Sequence, residues 1–543
     1  MMFQPWLLAA GVVLQAPVPS PPPPTDVISQ AYFLFLQGRD LEGRGDLDGA
    51  VGAYRKAIDL APKAADLRAE LAGLYARQGL AREAMNEARA ALDVDPGNHE
   101  ANRTLGFVEA ALLDRPVPGI TMPTMPEAIA HLSRALAGGL RDPAVELTLG
   151  RLYVRNAQYA DGLKTLNAFL LDQPGYPEAM MLVAEAYEGT HRTGDAIRTL
   201  EDLVKASPDQ TRARSWLAEL YEETGRWKDA AATWQDLATA NPKVAVYRTR
   251  HATALVNGGD IDAGRKELLA ISQQSPRDPA IWYLLSQVER RAGNAAGAED
   301  AARHITEIDP NDARGPLALA AARAARGDFK GVVDLLGPRI DAATDADIQS
   351  GVYGRMVSDL SSALFEMRDD ARAVKVLETA RQRDPGDEGV MFDLANAYEQ
   401  AGRIDEAEAV LREVVARDGD NPDALNSLGY LLADHSRKLD EAIDLIQRAL
   451  AADADNPSFL DSLGWAYFRQ GHADQALGPL ERAAAARPTS SVIQDHLGDL
   501  YFHIKRYRDA AGSFDRALSG DRAGVDAAAV TKKRDRAREL AGK

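Results

Sequence analysis

The chain contains no cysteine. That excludes disulfides, thiolate nucleophiles, Cys-ligated zinc, iron–sulfur clusters and a lipid-modified N-terminal Cys, and it leaves the redox compartment open. Aromatic residues make up only 6% of the chain, and alanine is abundant, the balance that helix-on-helix packing prefers. Basic residues are in deficit, 63 Lys and Arg against 81 Asp and Glu, for a net charge of -18. Such a surface repels phosphate backbones, so nucleic acid is not an expected partner. Beyond the first residues no apolar run approaches the ~18 residues of a membrane-spanning helix, so no transmembrane segment is expected there.

What is present is ordinary globular composition, 45% hydrophobic and 27% charged over 543 residues. The stretch "WLLAAGVVLQA" (6–16) has the length and apolarity of a signal peptide. "PVPSPPPPTD" follows and completes an extended tether over 17–28. Against export, residues 1–5 carry no Lys or Arg, and Pro17 directly follows Ala16, the small residue best suited to cleavage. The reading is an exported, periplasmic protein; a cytoplasmic protein with an apolar tail is the alternative.

A fixed period organises the rest. Prolines stand at 62 and 96, then at 174, 208, 242, 276 and 310, a spacing of 34 within each run. With Pro at position 32 of a 34-residue frame, position 8 is small (Gly38, Ala72, Gly150, Ala184, Gly464, Gly498) and position 11 is often Tyr (Tyr75, Tyr187, Tyr221, Tyr398, Tyr501). Position 20 is again small (Ala50, Ala84, Ala230, Ala476, Ala510). Small residues at 8 and 20 let two antiparallel helices approach closely, with large apolar residues beside them. Gly at position 15 (Gly45, Gly79, Gly225, Gly259, Gly293, Gly327, Gly402, Gly471) supplies the left-handed residue that ends the first helix. Proline at 32 ends the second.

This pattern resembles the tetratricopeptide repeat family, over essentially residues 29–520. The resemblance implies an all-α, right-handed solenoid of about fourteen helix-turn-helix units with a concave inner groove. The frame divides the chain into an N-terminal array (29–336), an irregular break (337–353), a C-terminal array (354–520) and a capping helix and tail (521–543). The first array carries a Pro- and Met-rich insert, "DRPVPGITMPTMP" (114–126), read as a tolerated loop. The last repeats, "NSLGYLLADHSRKLDEAIDLIQRAL" and "NPSFLDSLGWAYFRQGHADQALGPLERA", are similar to those of bacterial envelope tetratricopeptide proteins, some of which are adaptors.

A catalytic domain needs chain to occupy, and the repeats use nearly all of it. There is no GxxxxGK[ST], no GxGxxG after a strand and no HExxH; His99-Glu100 begins the last string, but position 103 is Arg. The nine His lack metal-ligand spacing. No catalytic residue, metal or cofactor is expected, and the chain reads as a non-enzyme.

What remains is a binding surface. The resemblance places positions 2, 5, 9, 12 and 13 of each first helix on the groove. In the C-terminal half these are Phe392, Asn396, Asn426, Tyr430, Asp461, Trp465, Phe468, Asp495, Asp499 and Phe502. Rings interleaved with carboxylates suit a partner segment carrying Lys or Arg between apolar anchors. The competing reading is that some of these rings pack against the next repeat. Further back stand Arg151, Arg155, Tyr283, Arg290 and Arg291, a chemically different groove. The Lys and Asn set of the family's carboxylate clamp is not found. The expected function is a scaffold or adaptor for protein partners; the alternative is an accessory component of envelope polysaccharide or peptidoglycan assembly that contacts glycan through Trp465.

Overall fold

Each copy of the frame folds as two helices because its apolar residues recur with the helical period and its punctuation falls where helices must stop. The computed structural model describes residues 26–542 except Ala523. The expected export signal and most of the tether lie outside the described residues. These residues are all-α, with thirty α-helices and no strand. The first, Val27–Gly43, is capped by the Asp26 side chain. Among the described residues no helix is long and apolar enough to cross a membrane.

The turn at position 15 behaves as its glycines require: all eight named above have positive φ, 89° at Gly471. Five copies without glycine there make the same turn. Ala157, His191, Arg368, Ser436 and Lys505 sit at the equivalent position with φ between 50° and 64°, a conformation that costs a side chain roughly 1–2 kcal/mol. The small residue at position 8 is also a geometric demand. A Cβ on Gly464 would lie 2.5 Å from Leu480 Cγ, and one on Gly498 would lie 2.5 Å from the Phe514 ring.

The Tyr at position 11 does more than fill space. Tyr501 donates its hydroxyl to Glu481 at 2.7 Å, and Arg506 lies over the ring at 4.3 Å while reaching the same Glu481. Tyr221, Glu201 and Arg226 repeat this arrangement, as do Tyr398, Glu378 and Arg403. Each triad ties a first helix to the second helices on either side of it.

The chain forms two compact units, ending at Asp260 and beginning at Ile261. In the first, the insert is a loop after the helix His99–Asp114. Arg82 holds it to an earlier repeat through the Gly119 carbonyl, 2.7 Å away, and a Thr124–Glu127 capping box starts the next helix. In the second unit the stretch 337–353 includes a short helix, Asp345–Gln349, and the left-handed Gly351. One apolar core runs through it without interruption, from Val332 and Leu336 to Tyr353, Val357 and Leu360.

Candidate functional site

The helices Pro422–Asp434 and Pro457–Gln470 are capped by Asn421 and Asn456, Ser491–His503 follows, and steps of four residues keep one face in line on each. Asn426, Tyr430 and Asp434 share that face on the first helix. Asp461, Trp465 and Arg469 share it on the second, with Phe468 beside them. Asp495 and Asp499 continue it on the third, with His496 and Phe502 alongside.

Trp465 is buried, with only 8% of its surface exposed. Its indole N–H donates to Asp434 at 2.9 Å, and its ring stacks on His496 with centres 4.0 Å apart. Arg469 lies 5.4 Å from the Trp465 ring centre and also reaches Asp434, at 3.3 Å. His496, itself buried, places Nδ1 3.0 and 3.1 Å from the two oxygens of Asp461. Burial pushes its pKa down, but the charge of Asp461, its hydrogen bond, and the charges of Asp495 and Asp434 prevail and hold it above the ordinary value. A nitrogen that faces both oxygens of a carboxylate carries the proton, so Nδ1–H donates to Asp461. Burial, reinforced by Asp434 and Asp461, holds the Tyr430 hydroxyl well above its usual range.

The next pair of carboxylates is already occupied. Lys533, from the terminal helix Ala527–Ala541, donates to Asp495 at 2.9 Å and Asp499 at 2.7 Å. Its ammonium lies 5.8 Å from the Phe514 ring centre. Burial raises Asp499, with Lys533 opposing; burial lowers Lys533, but its bonds and charge contacts with both aspartates keep it above its ordinary value.

The remaining candidates lie elsewhere. Phe392 packs half-buried against the core, Asn396 is exposed, Asn426 is half-buried, and Phe502 packs edge-on against Tyr507. Tyr283 and Arg290 line a concavity of about 220 Å³ with Arg355 and Asp359. Burial raises the Asp359 carboxyl, with Arg290 and Arg355 opposing. Arg291 is exposed. In the first unit Arg155 pairs with Asp114, and Arg151 pairs with Glu178.

Arg151 also edges a larger concavity, about 1090 Å³, crossing the first helices of successive repeats. Met181, Glu185, Arg212, Ser215 and Glu219 line it, all at positions 2, 5 or 9 of the frame, so the rule that selected Arg151 reaches them too. Trp216 and Tyr247 also line it from outside those positions, and sequence reasoning missed them. The Trp216 indole N–H donates to Glu188 at 2.9 Å, which fixes the ring at the wall.

Folding also gathers Glu399, Asp434 and His435, whose ligand atoms lie within 4.8 Å of one another. His435 Nε2 is 2.9 Å from Glu399, while Asp434 is committed to Trp465 and Arg469. The Arg469 guanidinium thus already pairs with one of the three.

Paired helices, concave inner faces and side chains tied within them define an all-α repeat scaffold. Tetratricopeptide repeat profiles match residues 41–107, 189–250 and 364–429, and 147–192, 249–313 and 462–527, together most of the chain. The chain belongs to the tetratricopeptide repeat family. It is 30% identical over 182 residues to cellulose synthase operon protein C of Xanthomonas axonopodis pv. citri, covering 33% of this chain but 12% of that protein. It is 28% identical over 167 residues to the bovine BBSome complex member BBS4, covering 26% of this chain and 32% of that one. The chain thus spans less than a third of the length of these curated relatives. Among solved structures, a chain of Naa15/Naa10 bound to HypK-THB aligns at 14% identity, 95% and 97% coverage and a TM-score of 0.40.

Proposed function

We propose that this protein is a non-enzymatic adaptor of the bacterial envelope that holds segments of partner proteins in its concave inner faces. The observation that carries the reading is the concavity of about 1090 Å³ in the first unit. Met181, Leu182, Trp216 and Tyr247 offer apolar and aromatic surface there, while Glu185, Glu219 and Arg212 offer charge of both signs. A groove with separate apolar anchors and charged rims suits a peptide segment. Export is part of the proposal and rests on residues 6–16; N-terminal sequencing of the mature protein tests it, and an intact Met1 overturns it.

The test of the groove is site-specific photo-crosslinking in cells, with the crosslinker at Met181 or Arg212 and a control at Lys164 on the exposed outer side. Protein adducts specific to the groove positions support the adaptor. Equal adducts at all three positions overturn it.

The second reading, an accessory role in envelope polysaccharide assembly, is favoured by the similarity to proteins named for a cellulose synthase operon. It predicts that the purified chain co-sediments with insoluble glycan. The buried state of Trp465 removes the exposed indole on which a glycan contact at that residue would depend.

A further inference from the structure

The terminal helix Ala527–Ala541 carries five basic residues and two acidic ones. Of its side chains only Val530 and Ala537 are fully buried. Ion pairs also attach it to the repeat beneath: Lys533 to Asp495 and Asp499, and Arg534 and Arg538 to Asp515. The lysine sits at the centre of the packing face, three residues after Val530 and four before Ala537. A cap built for stability alone would put an apolar residue there, because exposed and half-exposed ion pairs hold helices weakly and salt screens them.

The surface beneath is also unusual. Asp495 and Asp499 stand one turn apart on one helix, both half-buried, and the ammonium they share lies 5.8 Å from the Phe514 ring centre. Like charges at that spacing repel, and the Lys533 ammonium between them offsets that repulsion. The receiving surface therefore specifies a lysine flanked by small or apolar side chains one turn away on a helix.

We propose that the acidic face formed by Asp495, Asp499 and Asp515 is a docking site for a basic amphipathic helix of a partner protein, which the chain's own terminal helix occupies in cis as a displaceable lid. The proposal deepens the adaptor reading and rests on it for the existence of a protein partner. Charge complementarity selects the occupant: an acidic or purely apolar helix would leave the two aspartates unpaired.

The test uses the full-length chain and a synthetic fluorescein-labelled peptide of residues 525–542, read by fluorescence anisotropy at low salt. Cis occupancy weakens apparent affinity in proportion to the closed fraction, so the wild-type chain is expected to bind the peptide at least about tenfold more weakly than the Lys533→Glu chain. Adding Asp499→Lys to that variant abolishes binding, and so does placing Lys533→Glu in the peptide. If Lys533→Glu loses the cooperative melting of the wild type, Lys533→Ala carries the same comparison. Equal binding by wild type and variant, no binding by a folded variant, or binding indifferent to Asp499→Lys overturns the proposal. The outcome does not depend on what crosslinks to Met181, so it can fail while the adaptor reading stands.

Discussion

The indole of Trp465 lies flat against the imidazole of His496, ring centres 4.0 Å apart and planes 13° from parallel. Asp434 takes the indole N–H from one side, and Asp461 holds the imidazole from the other. The pair joins two successive repeats through their first helices, so its first effect is on stability. Trp465→Ala should destabilise the second unit by about 3–5 kcal/mol, the usual cost of emptying a buried aromatic site. Trp465→Phe should cost less, about 1–3 kcal/mol, through the unpaired Asp434 and the lost indole volume. Chemical denaturation followed by tryptophan-independent circular dichroism checks both.

The same pair carries a pH dependence. The pKa of His496 is raised in the fold above its ordinary 6.5, so the folded state binds the proton more tightly than the unfolded chain. Its contribution is complete below the unfolded pKa and is lost as pH rises through the folded one. The charges of Asp461, Asp495 and Asp434 face it, Arg469 pairs with Asp434, and the Tyr430 hydroxyl beside it is held above its usual range. Thermal melting from about pH 6 to pH 9 should therefore show declining stability, and His496→Gln should flatten the decline. A wild-type curve with the same slope as the variant would remove His496 as its source.

The turns at position 15 offer a test in the stabilising direction. Lys505 holds φ at 64° where the neighbouring copy has Gly471 at 89°. Lys505→Gly should stabilise its unit by about 0.5–1 kcal/mol and Gly471→Ala should destabilise by about 1 kcal/mol, since only glycine enters this region freely. Opposite shifts in denaturation midpoint are the readout.

Close helix approach gives the converse. Alanine normally improves a helix over glycine by about 1 kcal/mol. At Gly464 the added Cβ meets Leu480 Cγ at 2.5 Å and the Ala476 carbonyl at 3.1 Å. Overpacking costs about 1–3 kcal/mol, so Gly464→Ala should lower the melting temperature. Gly478, with nothing near its Cβ direction, should respond to alanine with a gain.

The repeat was legible in the sequence because period, glycine and proline act locally. Gly471 ends its helix, Gly464 admits Leu480, and Pro488 stops the second helix wherever that unit is placed. The sequence offered the inner face as a set of positions; in the fold Arg151, Tyr283 and Arg290 border concavities, while Asp495 and Asp499 meet Lys533. Their neighbours were not legible. Trp216 and Tyr247 reach the first groove from positions outside the set, because helix tilt decides which side chains border a concavity.

Sequence by itself determined the unit: helix, left-handed turn, helix, proline, in a frame of 34 residues. It also determined the acidic and aromatic content of the terminal repeats. Only tertiary structure decided that Trp465 is covered by His496 from the next repeat, and that Lys533 fills the space between Asp495 and Asp499. The physical reason is that the 34-residue frame brings side chains thirty to forty positions apart into contact. Which of them touch depends on how far each helix pair rotates against the next, and no local pattern encodes that rotation.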